Sequence, residues 1–144
     1  MISQGVTITT RCEACGGVLI LDTGQHIGGG RLWWGTEGAC QSCPVAWCDQ
    51  DFGDATPEEI RQALLAEHGP ARLRLTAPEA SAVPVLRALR EVHGLSLARA
   101  RAMANVLKAT GLVGTFVEVE LVASRLRHHS VGVTVETSFG SRRL

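Results

Sequence analysis

Two short cysteine pairs constrain this chain more than any other feature. They are Cys12-Glu13-Ala14-Cys15 and Cys40-Gln41-Ser42-Cys43, with 24 residues between them. A Cys-x-x-Cys turn holds two thiolates about 3.5 to 4 Å apart, the edge of a tetrahedron around a zinc ion. Two such turns complete a four-sulfur shell. Gly16 directly follows the first pair, where a metal knuckle bends the backbone into the φ > 0 region that glycine accepts. The expected ligands are therefore Cys12, Cys15, Cys40 and Cys43, and the expected cofactor is a structural Zn2+. A thioredoxin-like pair would occur once, at a helix start within a βαβ pattern. Here the pair is duplicated, and strand-like sequence flanks the first copy.

Length and charge divide the rest. At 144 residues the chain permits one domain or two small ones. Apolar residues make up 45% of it, enough to bury a core, and charged residues only 19%, which argues against wholesale disorder. Residues 1–70 hold three arginines, no lysine and nine carboxylates, a net of −6. Residues 71–144 hold eleven basic and five acidic residues, a net of +6. The break falls near Gly69-Pro70 and leaves a C-terminal half that could attract an acidic partner. The two halves could equally attract each other, within one chain or between the two chains of a homodimer. The start of the chain has no basic segment leading into an apolar one, so no signal peptide is expected. No run of about 18 apolar residues suggests a membrane span. Cysteines in metal spacing fit a reducing cytoplasm better than a disulfide framework.

Val6 to Thr10 is β-branched and reads as a strand entering the first knuckle, and Val18 to Leu21 as a strand leaving it. Asp22-Thr23-Gly24 then signals a turn, and Gly28-Gly29-Gly30 a flexible loop that lacks the ending of a phosphate-binding loop. Arg31 to Trp34 is a third strand running toward the second knuckle. Cys48 is expected to be a small buried residue rather than a ligand or a reactive thiol. His26 is not needed at a metal that four cysteines already enclose. Adjacent Trp33 and Trp34 must point to opposite faces of a strand. One can enter the small core, which leaves Trp34 as a candidate partner contact unless the second domain covers it. Thr56, Pro57 and Glu59 read as N-cap, N1 and N3 of a connecting helix with Ile60, Ala63 and Leu64 as its apolar stripe, closed by Gly69-Pro70.

Strand, knuckle, strand, loop, strand, knuckle is the order of a zinc ribbon, which residues 1–50 resemble in a general way, within a domain expected over 1–53 and followed by the connecting helix over 54–70. A segment this small cannot bury enough apolar surface to fold alone, so the metal should supply most of its stability.

From residue 71 the pattern changes to a β-α-α-(β)-α-β order, an α+β layer with helices on one sheet face. Arg72 to Leu75 alternates, with Leu73 and Leu75 inward. A helix spans about Ser81 to Val92, with Val83, Leu86 and Leu89 on one side and Arg87 and Arg90 on another. His93-Gly94 ends it. Ser96 caps a second helix with Ala100, Met103, Ala104 and Leu107 as its stripe. Gly111 to Thr115 is a connection or short strand. Thr115 and Glu118 form a capping box before Val119, Val122, Ala123 and Leu126. His128-His129 reads as a solvated helix end. Val131 to Glu136 alternates with three valines inward, and 138–144 is a tail.

Val85 to Arg90, followed by His93-Gly94-Leu95-Ser96-Leu97-Ala98-Arg99-Ala100-Arg101, resembles the C-terminal domain of the bacterial ribosomal stalk protein of the large subunit. The resemblance covers residues 71–137. It implies that the first two helices present a basic face that docks translation GTPases, with Arg87, Arg90 and Arg101 at the family's basic positions. Ala98 stands where the family usually has lysine, and a cysteine-paired segment replaces the stalk's dimerisation region. A solvated helix surface is the plainer account of these arginines.

No catalytic set is apparent. A closed four-cysteine shell leaves no open position for water or substrate, and no nucleophile-elbow motif is present. Three non-enzymatic readings follow. One is an adaptor that docks a protein partner through the basic helix pair, with a possible link to translation. The others are an immunity-type inhibitor of one effector, and a nucleic-acid-binding ribbon, which the −6 charge of the cysteine-bearing half opposes.

Overall fold

The computed structural model describes residues 2–77 and 81–137, so the tail 138–144 lies outside the described residues. The chain divides into two compact units, Met1–Glu67 and His68–Leu144. Its architecture is α+β.

The first unit is a four-stranded antiparallel sheet in sequence order: β1 (Ser3–Arg11), β2 (Val18–Gly28), β3 (Arg31–Cys40) and β4 (Ala46–Phe52). Helix α1 (Glu58–His68) follows. The loop expected at Gly28–Gly30 is a tight hairpin turn. Gly28 pairs with Arg31, and Gly29 and Gly30 between them have φ of +58° and +74°, the two positive angles of a type I′ turn. The turn expected at Asp22-Thr23-Gly24 is instead the middle of β2, and cross-strand partners hold it there. Thr7 donates to Asp22 at 2.6 Å, and Thr23 to the carbonyl of Gly35 at 3.0 Å. Gly5, Gly24 and Gly35 lie side by side across three strands. A Cβ on Gly24 would come within 2.7 Å of the Gln4 carbonyl oxygen, so this glycine serves close strand approach rather than a turn.

Strand β4 was not expected at all. Every residue of it is exposed, including Cys48, which corrects the buried role expected for that cysteine. Helix α1 also departs from expectation. The carbonyl of Pro57 accepts from the amides of Ile60 and Arg61, and the Thr56 hydroxyl takes the Gln25 amide at 2.7 Å. Thr56 is thus drawn to a buried polar partner. Gly69, with φ of +78°, ends the helix segment.

The second unit has the order β5 (Ala71–Leu75), α2 (Ala82–His93), α3 (Leu97–Ala109), β6 (Leu112–Gly114), α4 (Phe116–His128) and β7 (Val133–Thr137). Its three strands run antiparallel in the order β6-β5-β7. Ala71 and Leu73 of β5 are buried with residues from all three helices in one core cluster that ends at Val131. Local signals set the helix ends. Gly94 takes the left-handed conformation and its N–H donates to Arg90, the Ser96 hydroxyl accepts from Arg99, and Thr115 and Glu118 complete a capping box. The stripe of α2 is rotated from the expected one. Val85, Ala88 and Leu89 are buried and Val92 partly so, whereas Val83 is 58% exposed. Both sets have helical spacing; the four-member set at 85, 88, 89 and 92 is the one that packs.

Candidate metal centre

Three strand ends deliver the four cysteines. Cys12 follows β1, Cys15 precedes β2, Cys40 closes β3, and Cys43 lies in the turn that leads to β4. Cys12 is buried at 2% exposure, Cys15 exposed, and Cys40 and Cys43 half-buried. The Sγ atoms of Cys12 and Cys43 are 3.8 Å apart, those of Cys15 and Cys40 are 3.5 Å apart, and all four lie within 4.8 Å of one another. A regular tetrahedron with metal–sulfur bonds of about 2.3 Å has edges of about 3.8 Å. The four sulfurs therefore surround a point at which each could ligate one ion. Among the described residues this is the one cluster of metal-ligating groups.

Backbone amides support the sulfurs. The N–H of Gly17 donates to Cys15 Sγ and that of Ser42 to Cys40 Sγ, each at 3.3 Å. The first knuckle is closed by Gly16 N–H to the Cys12 carbonyl and Cys12 N–H to the Gly17 carbonyl, both 2.8 Å. Gly16 has the expected positive φ, +77°. Gly17 is a second requirement that spacing alone did not reveal. A Cβ there would lie 2.7 Å from Ser42 Oγ of the other knuckle, and the signal for it was the doubled glycine.

The amides and the neighbouring sulfurs shift the cysteines in opposite directions. The Ser42 N–H, helped by that of Cys43, lowers the Cys40 thiol to about 6. At Cys43 the Val45 N–H draws the thiol down, but desolvation and the three neighbouring sulfurs outweigh it, and the group is pushed up to about 12. Four thiolates cannot share so small a volume unless a positive ion sits among them. A structural metal ion fits this donor set, its geometry and its amide support.

The other candidate residues lie elsewhere. His26 stacks on Trp33, with ring centroids 6.0 Å apart and planes 9° apart, and is not part of the sulfur cluster. Trp33 also meets Phe52 at 4.8 Å, and its indole N–H donates to the Gly28 carbonyl. Trp34 is half-buried on the opposite face, in a recess with Pro57 and Ile60 of its own unit. In the second unit Arg87 and Arg90 are exposed and line an open recess of about 540 Å³ with Glu91, Gly94, Leu95 and His129. Arg101 is exposed on α3 but is not among the residues that line this recess. The Nε–H of Arg90 donates to the Leu95 carbonyl at 3.1 Å. His129 is not the solvated helix end expected for it, because its Nε2 lies 3.0 Å from both carboxylate oxygens of Glu91. Sequence spacing could not reveal that bond, since 38 residues separate the partners.

No helix is long and apolar enough to cross a membrane among the described residues. Comparison with protein-family models, curated proteins and solved structures returns no match.

Proposed function

We propose that this chain is a non-enzymatic adaptor, a zinc ribbon joined to a stalk-like domain that docks an acidic protein surface. In this reading Zn2+ is bound by Cys12, Cys15, Cys40 and Cys43. Four sulfur ligands fill the tetrahedral shell that zinc prefers and leave no position for water or substrate, which is why the metal's role is structural. The ribosomal stalk resemblance of residues 71–137 supplies the docking role and the link to translation.

The single observation that carries the docking role is the recess beneath α2. Arg87 and Arg90 are both exposed and both line this one open recess, which supports the reading. The neighbouring Glu91 does not cancel them, because His129 at 3.0 Å and Arg125 at 3.9 Å already engage it. Arg101 would extend the positive surface along α3. Charge-assisted bonds from guanidinium groups suit carboxylates on a partner.

The experiment is affinity capture from native lysate with the metal retained. Arg87→Glu and Arg90→Glu together should abolish capture of an acidic partner, and Arg101→Glu should weaken it. Capture that survives the double reversal refutes the basic-face reading. Metal analysis tests the zinc assignment separately, with one zinc per chain as the expected result.

A further inference from the structure

We propose that the outer edge of β4 docks an extended, lysine- or arginine-bearing segment of a partner protein, which adds to the sheet as a fifth strand. This surface is separate from the arginine recess and does not depend on it.

The backbone comes first. β4 is terminal in the order β1-β2-β3-β4, so among the described residues one side of it has no strand partner. The Val45 carbonyl accepts from Cys40, and the Gly53 N–H donates to Leu32. Odd-numbered residues therefore turn their backbone groups toward β3, and Ala46, Cys48, Gln50 and Phe52 turn theirs outward. The Phe52 N–H is already taken by its neighbour's carboxylate, Asp51 Oδ1, at 2.8 Å. That bond marks one end of the open stretch and leaves Ala46, Cys48 and Gln50 as a ladder for an incoming strand. An exposed ladder of this kind is the requirement for β-augmentation.

Side chains supply the second argument. Successive residues of an added strand point to opposite faces, and β4 borders a recess on each. On one face a recess of about 330 Å³ is lined by His26, Glu37, Cys48 and Gln50 around the glycine floor of Gly24 and Gly35. On the other face a recess of about 270 Å³ is lined by Trp34, Asp49, Asp51 and Ile60.

Charge selects the occupant. β4 carries two aspartates and no basic residue, and residues 1–70 sum to −6. The opposite edge, β1, has no carboxylate and ends in Arg11. A basic strand is therefore drawn to β4 and not to β1, whereas nucleic acid and anionic membranes are repelled from it. The fitting pattern has basic side chains over Asp49 and Asp51 alternating with apolar ones over Cys48 and Gln50.

The test uses the purified full chain with its metal and two labelled seven-residue peptides, one alternating valine and lysine and the other valine and glutamate. Fluorescence anisotropy should show binding of the lysine peptide and none of the glutamate peptide. Asp49→Lys with Asp51→Lys should weaken it at least tenfold. Cys48→Pro should do the same, because proline there removes an outward N–H and no bond to β3. Amide hydrogen exchange gives a readout without substitution: the Cys48 and Gln50 amides should slow at saturating lysine peptide, while those of Trp47 and Asp49 stay unchanged. Equal binding of both peptides, or no slowing at Cys48 and Gln50, overturns the proposal. So does concentration-dependent self-association that the same substitutions abolish, since the occupant would then be a second copy.

Discussion

The two units are similar in length but hold their folds by different means. In the second, twelve buried residues from its three helices, β5 and the Val131 turn form one cluster, and side-chain packing does the work. In the first, buried apolar residues are few: Cys12, Leu19, Leu32 and Leu64. Apart from Gly38, its other buried residues are polar. Gln25 binds Thr56, and Thr23 binds the Gly35 carbonyl. A sheet of this kind gains little from the hydrophobic effect and depends on its strand ladder, and a metal held by the four sulfurs would clamp it at one end. The difference teaches that the four-cysteine cluster sits in the unit where packing is thinnest.

The sharpest way to break this comparison is to remove the clamp. All three tryptophans, Trp33, Trp34 and Trp47, lie in the first unit, so their emission reports on that unit alone. Structural zinc contributes on the order of 10–16 kcal/mol in small zinc-dependent folds. Chelation, or Cys12→Ser, should shift tryptophan emission to the red while most far-ultraviolet helix signal persists. Simultaneous loss of both signals would mean that the units do not stand on separate supports.

The converse perturbation is smaller. Leu126 is fully buried in the α4 side of the second core. Leu126→Ala should cost about 2–5 kcal/mol through lost transfer energy and the cavity left behind. Denaturation followed by helix signal should show a lowered midpoint, with metal content and tryptophan emission unchanged before unfolding. A variant that loses metal would place packing and clamp in one cooperative system.

This contrast also explains what could be read in the chain. The second unit was legible because its instructions are local. Ser96, and Thr115 with Glu118, act within one helical turn, and the α4 stripe of Val119, Val122, Ala123 and Leu126 repeats within one helix. In the first unit the four cysteines were legible, because ligand spacing is local too. The sheet around them was not. Asp22, Thr23 and Gly24 are turn formers by type, yet cross-strand partners from residues 5–7 and 35–37 hold them in β2. β4 carries Asp49 and Asp51, a residue type depleted in strands, and pairing with β3 makes it a strand. Cys48 was misplaced for the same reason, since burial was inferred from residue type without knowing that its strand lies at an edge.

The smallest expected effect concerns the ionic support between α2 and α4. The bond from His129 holds the Glu91 carboxyl below the usual carboxylate range, and the charges of His129, Arg125 and His128 add to it. A carboxylate whose folded pKa lies below its unfolded value of about 4.3 stabilises the fold above that value. The contribution is lost as pH falls through the lower, folded pKa. Glu91→Gln should therefore lower the melting temperature of the second unit slightly at pH 6, and the gap from the unaltered chain should close as pH falls below 4. The gap is small because Glu91 is exposed and water screens the pair. Helix signal is the proper readout, since acid also protonates the cysteines, releases the metal and moves the tryptophans. A gap that stays constant down to pH 3 would show that Glu91 acts through packing or a neutral hydrogen bond, and the second unit would then owe its stability to its apolar core alone.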